Sequence, residues 1–233
     1  MENFEIVIKP EEILRALSTL GFFLNDPAIL SRSKYAIQAC KGVAKVYGRD
    51  KLVKLKYTGT FFLPYLILKR EESFYFDCFR DSDCCLMRKV SVLPEEFERI
   101  SSFLNLDKKQ TFKQYFEVND DILTIKQNQK GECIFLNRNL NSCKIYPVRP
   151  GVCRKYPLVY ADKKSVEIEL CPGCFEGKKI KVEDWIKENK IEEFSAKVRE
   201  YEDSFIFYAH NLEKYGLFEP DFKQVVLKLF NII

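Results

Sequence analysis

The chain has 233 residues, 46% of them hydrophobic and 31% charged, with a formal net charge of +4. This is the profile of a soluble globular protein of one or two domains, not of a disordered or fibrous chain. No stretch approaches the ~18 uninterrupted apolar residues of a membrane helix, and the opening MENFEIVIKPEEIL lacks the basic-then-apolar pattern of a secretory signal, so the expectation is a cytoplasmic protein that does not engage a membrane.

In chain order, alternation from Phe4 to Ile8 predicts a short strand stopped by Pro10. Ile13, Leu14, Leu17 and Leu20 follow helical spacing, with Gly21 as the expected end. Asp26-Pro27 reads as an N-cap and first turn of a second helix reaching towards Gly48. LVKLKY and FFLPYLILKR read as strands, Pro64 marking an edge or a bulge. Residues 1–70 thus form an N-terminal α+β section without evident chemistry.

Residues 71–180 are a cysteine-rich middle domain of short elements. VSVLPEEFERISSFLNL reads as a strand entering a helix at Pro94, and DDILTIK, ECIFLN and SVEIEL as further strands. Asn137 to Ser142 is an asparagine-rich tight turn. RPGVCRKY is a short helix begun at Pro150 and halted before Pro157. Residues 181–233 are helical. Ile191, Phe194, Val198, Tyr201, Phe205, Tyr208, Leu212 and Tyr215 step by three and four before Gly216. The preferred reading packs this aromatic stripe on its own domain; the alternative is a seam for a protein partner along residues 191–215. The overall class is α+β.

Nine cysteines are unusual for a reducing compartment, where metal ligation is a better use than disulfides. Cys40 stands alone in an apolar helical stretch and reads as a core residue. The other eight, Cys78, Cys84, Cys85, Cys133, Cys143, Cys153, Cys171 and Cys174, crowd into residues 78–174. Cys171-Pro172-Gly173-Cys174 is a turn that aims two sulfurs at one ion. A redox dithiol reading is weaker, because the following Gly177 and lysines make a poor helix start. The adjacent Cys84 and Cys85 point apart in extended chain, so they can serve different sites. Sequence leaves open one metal site or two, and zinc or an iron–sulfur cluster.

Cys143-Lys-Ile-Tyr-Pro147 recurs ten residues later as Cys153-Arg-Lys-Tyr-Pro157, and Cys133 lies ten residues before. From Cys133 to Lys181 there are ten basic and four acidic residues. Cations at Lys144, Arg149, Arg154 and Lys155 would offset the charge of a thiolate-bound ion. The same segment, with Tyr146, Tyr156 and Tyr160, admits a less favoured reading as a nucleic-acid patch. His210, the single histidine, is off the seam and expected at the surface. Glu95 and Glu96 read as first-turn acids favouring a helix dipole. No dinucleotide or phosphate-loop fingerprint is present.

FDCFRDSDCC, VLPEEFERISSFLNL and CIFLNRNLNSCKIYPVRPGVCRKYP together resemble, in order and spacing, the YkgJ-type or CxxCxxCC cysteine-cluster family. Its members are described as zinc- or iron-chelating domains. The resemblance covers residues 74 to 174 and is most specific from Cys133 to Pro157. It implies metal binding. A flagellin lysine N-methylase carries a similar cluster, which makes a cluster-dependent enzyme, a methyltransferase or a redox protein, an alternative. In the first motif Asp81 stands where the family has its second thiol. Asp81 is accordingly expected either as an oxygen ligand beside Cys78 and Cys84 or Cys85, or as a solvated loop residue.

Overall fold

The computed structural model describes residues 4–23, 28–57, 62–78, 83–86, 89–119, 121–214 and 222–233. Among them the chain forms, in order, β1 (Glu5–Ile8), α1 (Ile13–Phe23), α2 (Ile29–Arg32), α3 (Lys34–Val46), β2 (Leu52–Tyr57), β3 (Phe62–Lys69) and β4 (Ser73–Phe76). Next come α4 (Pro94–Leu104), α5 (Lys108–Tyr115), β5 (Phe116–Asn119), β6 (Ile122–Ile125), β7 (Leu136–Asn137), β8 (Ser142–Cys143) and α6 (Gly151–Arg154). β9 (Leu158–Ala161), β10 (Ser165–Glu169), β11 (Lys178–Lys181), α7 (Val182–Glu188), α8 (Ile191–Lys214) and α9 (Phe222–Leu229) complete it. The fold is mixed α+β. No helix among the described residues is long and apolar enough to cross a membrane.

Two compact units arise, and the chain visits each twice. The first comprises residues 1–79 and 156–185, the second residues 80–155 and 186–233.

The first unit is built on an antiparallel sheet ordered β1-β2-β3-β10-β9. Period-two alternation puts Val53 and Leu55 of β2, Leu66 and Leu68 of β3, and Val166 and Ile168 of β10 in its core. α3 lies against β3, burying Ala36, Ala39, Cys40 and Val43. Pro64 falls in the central strand, not at an edge or bulge. Its carbonyl accepts the Leu170 N–H at 3.0 Å, just past Glu169, the last residue of β10 to pair with β3. The reciprocal bond that proline cannot give is replaced at the Leu170 carbonyl by Tyr35 Oη.

Two other boundaries depart from expectation. α1 continues through Gly21 to Phe23, because a glycine stops a helix only where the chain turns left-handed. The next helix is broken at Ser33 into α2 and α3, and α3 ends near Gly48, which adopts φ +103°. The proposed Asp26-Pro27 cap lies outside the described residues.

The second unit has its own apolar core of Phe97, Ile100, Phe116, Leu123, Phe135 and Phe230, joined by Phe194 and Tyr201. Phe97 sits edge-on to both Phe116 and Phe230. The stripe of α8 faces this core: Ile191, Phe194 and Tyr201 are buried, with Val198 and Phe205 packed alongside. It therefore packs within its own unit, as the three-and-four spacing suggested. The side chains of Tyr208, His210 and Leu212, and residues Tyr215 and Gly216, lie outside the described set.

Candidate metal centre

Five of the cysteines belong to the second unit, and backbone pairing explains how four of them become neighbours. The chain around Cys85 runs antiparallel to that around Cys133: Leu86 bridges Glu132, and the Cys133 N–H donates to the Cys85 carbonyl at 2.9 Å. The tight turn 137–142 closes a hairpin in which Leu136 faces Cys143, with Asn141 at φ +42°. The Lys144 N–H returns to the Phe135 carbonyl at 2.8 Å. Cys153 arrives on α6, the helix that opens after Pro150.

Burial and the charges of neighbouring thiols act on these cysteines. Burial pushes Cys153 well above the ordinary thiol range, and the charges of Cys84, Cys133 and Cys143 would each push it further. Cys133 is pushed up to about 11 by burial, with Cys143 and Cys84 adding to it. Cys143 is raised by burial and by Cys84. The neighbouring backbone N–H groups of Phe135 and Leu136 pull the Cys133 thiol down against burial, and that of Ile145 does the same at Cys143. Donors two and three residues after a cysteine stabilise its thiolate and orient it. Among the described residues no three Cys, His, Asp or Glu side chains yet converge in coordinating geometry. The fold supplies neighbours that an ion or cluster would draw in.

The expected cations divide. Arg149 opposes burial at both Cys143 and Cys153, while its guanidinium stacks 3.9 Å from the Tyr146 ring centre. Arg154 turns away, donating to the Arg149 carbonyl at 2.9 Å and approaching Glu96 at 3.6 Å. Lys155 lies over the Phe194 ring and is held below its ordinary value by burial. Lys144 is exposed. The repeated five-residue unit therefore adopts two conformations. Cys143 ends a strand and Cys153 sits in a helix, so each cation meets different surroundings.

Cys85 packs against the apolar core, its sulfur 4.0 Å from that of Cys84. Cys78, Cys171 and Cys174 belong to the first unit. There the Cys171 and Cys174 sulfurs are 3.6 Å apart and both residues are buried, whereas Cys78 is exposed. Cys40 is fully buried in α3, as a core thiol. Asp81 lies outside the described residues.

Glu96 has a larger role than a dipole acid. Its carboxylate accepts the Leu93 N–H at 3.1 Å, the glutamate half of a capping box on α4, and the Gly151 N–H at 2.6 Å. The first bond is legible in LPEE, where a glutamate occupies the third helical position. The second, 55 residues away in sequence, is not. Glu96 so joins the start of α4 to the start of the helix that carries Cys153. Burial raises its carboxyl, against the pull of the two N–H groups, Arg154 and Arg99.

Comparison with known proteins agrees with this concentration of thiols. A stretch of 82 residues is 28% identical to an uncharacterized protein of Methanocaldococcus jannaschii, covering 35% of this chain and 44% of that one. The chain thus spans less than half the length of that relative. No solved structure matches. The CxxCxxCC family, described as "Putative zinc- or iron-chelating domain", matches residues 77–195, more than half of the chain and every cysteine but Cys40. The chain belongs to the CxxCxxCC family.

Proposed function

We propose that this protein binds a thiophilic metal through Cys84, Cys133, Cys143 and Cys153 of its second unit, and that the metal organises the hairpin and short helix carrying them. What supports the reading is the backbone pairing that sets the Cys84–Cys85 segment beside Cys133 and closes the hairpin from Cys133 to Cys143, within the stretch matched by a chelating-domain family. Four thiols fit the donor set of a structural zinc site or an iron–sulfur centre. Arg149 and the N–H donors offset part of the −2 charge that four thiolates leave on a divalent ion.

Bound there, the metal supplies cross-links between segments 84–86, 133–143 and 151–154, which otherwise share little regular structure. Each ligand thiol must lose its proton on binding. Because burial raises these thiols, retention should fall as pH is lowered.

The test is anaerobic purification followed by metal and sulfide analysis, on the native chain and on Cys133→Ser/Cys143→Ser. A colourless zinc protein identifies a structural site, and sulfide with visible absorption identifies a cluster. Metal content at this site unchanged in the double variant would contradict the assignment.

A further inference from the structure

The second unit also carries a strongly basic surface. Between Ile122 and Lys155 the sequence has seven lysines and arginines against one acid, Glu132. That acid is engaged: Arg138 donates to it through Nε at 2.9 Å and again through Nη2, and Asn128 through Nδ2 at 2.8 Å. The remaining cations therefore meet no carboxylate of their own segment, and their field extends into solvent.

One aromatic ring stands within that field. Tyr146 opens a 3-10 turn, Tyr146–Val148, and is 61% exposed, while its neighbour Ile145 is buried. The turn is thus rooted in the core with its tyrosine in water. The Val148 N–H returns to the Ile145 carbonyl at 2.9 Å, and Pro147 and Pro150 bracket the two residues between them with fixed torsions. The Arg149 guanidinium covers one face of the ring, 3.9 Å from its centre. A ring so exposed, with one face covered, turns its other face to solvent. Lys144, two residues before, is exposed as well. A single exposed tyrosine is ordinary; what sets Tyr146 apart is the guanidinium against it and the ammonium beside it. Tyr156 and Tyr160 belong to the first unit and take no part.

We propose that Lys144, Tyr146 and Arg149 form a binding surface for single-stranded nucleic acid. An unpaired base stacks on the open face of the Tyr146 ring, and the flanking phosphates meet Lys144 and Arg149. Cationic grooves with aromatic platforms bind single strands in this way. A duplex would not serve, because its bases stack on one another and offer only their edges. Stacking tolerates every base, so RNA and DNA strands should both bind with little sequence preference. An acidic protein surface would also meet the cations, but the negative face of the ring repels a carboxylate. The surface needs no thiol and adds a partner to the metal-binding reading.

The experiment is fluorescence anisotropy of labelled oligothymidylate and oligouridylate with the full-length chain as purified, over rising salt. An abasic strand of equal length supplies the same phosphates without bases. The native chain should bind both oligonucleotides, lose affinity as salt rises, and bind the abasic strand ~5–100-fold more weakly. Tyr146→Ala should abolish that preference while keeping the salt slope, and Tyr146→Phe should retain it. Lys144→Ala should reduce the slope of log affinity against log salt by ~0.7, one phosphate contact on a single strand, and leave the preference for bases intact. If Tyr146→Ala fails to fold, the strand comparison in the native chain and the Lys144→Ala slope serve as the test. Equal binding of the base-bearing and abasic strands by the native chain would overturn the proposal in favour of a general polyanion surface. An unchanged preference in folded Tyr146→Ala would overturn it by placing the stacking elsewhere, and no binding at low salt would overturn it outright. The four-thiol reading survives each of these outcomes, because metal content is measured separately.

Discussion

Cysteine by cysteine, surroundings decide chemistry more than residue type does. Cys40 is enclosed by α3 and the sheet, and burial pushes its thiol up to about 12. Its thiolate fraction at pH 8 should be roughly a thousandfold below that of an ordinary thiol. Cys40 should therefore resist iodoacetamide in the folded chain and react only after unfolding, as peptide mass mapping would show. The stability sign follows. Since the folded value lies above the unfolded one, the contribution of this neutral thiol is complete below the ordinary thiol range. It is lost progressively as pH rises from there towards 12. Arg149 is the opposite case, a cation acting on two thiols. Arg149→Ala should weaken zinc retention at the four-thiol site by about 3–30-fold, and Arg149→Lys should restore part of it, as measured by competition with a chromogenic chelator. Equal retention in all three would remove Arg149 from the site.

Between elements, the joint of α4 and α6 is the most sensitive point in the second unit. Glu96 accepts a backbone N–H from each helix start, so truncation leaves two donors without it. Glu96→Ala should cost about 2–4 kcal/mol, read as a lower urea midpoint, and should slow metal uptake because Cys153 rides on α6. Gly151 lies at the same joint, where an added Cβ would meet the Phe194 ring at 2.2 Å. Gly151→Ala should force that ring out of the core and destabilise the second unit by about 1–3 kcal/mol. A native urea midpoint in Gly151→Ala would show that the ring yields without cost. By contrast, Pro64→Ala in the central strand should change stability little, since Tyr35 Oη already bonds the Leu170 carbonyl that faces it.

Taken together, the two units have different sources of order. The first is tied by a five-stranded sheet with long registers. The cysteine-bearing part of the second relies on two-residue strands and isolated bridges. Such sparse pairing gives little local protection. Removing metal from the four-thiol site should therefore speed amide exchange across residues 133–154 while strands 52–57, 62–69 and 165–169 stay protected. Uniform protection in native and stripped protein would mean that the metal does not organise this region.

Much of this protein could be read from its residues in order. Local pattern identified four of the five sheet strands, β1, β2, β3 and β10, and the stripe of α8, because a two- or three-and-four-residue repeat is local information. Cysteine spacing identified the family, and the Asn-rich tight turn was legible, though not the hairpin that it closes. Only the tertiary structure decided how the thiols divide between two units, since the segments of Cys85 and Cys133 pair through a bridge between residues 46 apart while Cys171 and Cys174 lie in the other unit. Nor could sequence assign Arg149 rather than Arg154 to the sulfurs, because a side chain's partner depends on the conformation around it. The second bond of Glu96 and the central place of Pro64 were hidden for the same reason. Both are set by strands and helices that pair across long separations, where local pattern carries no signal.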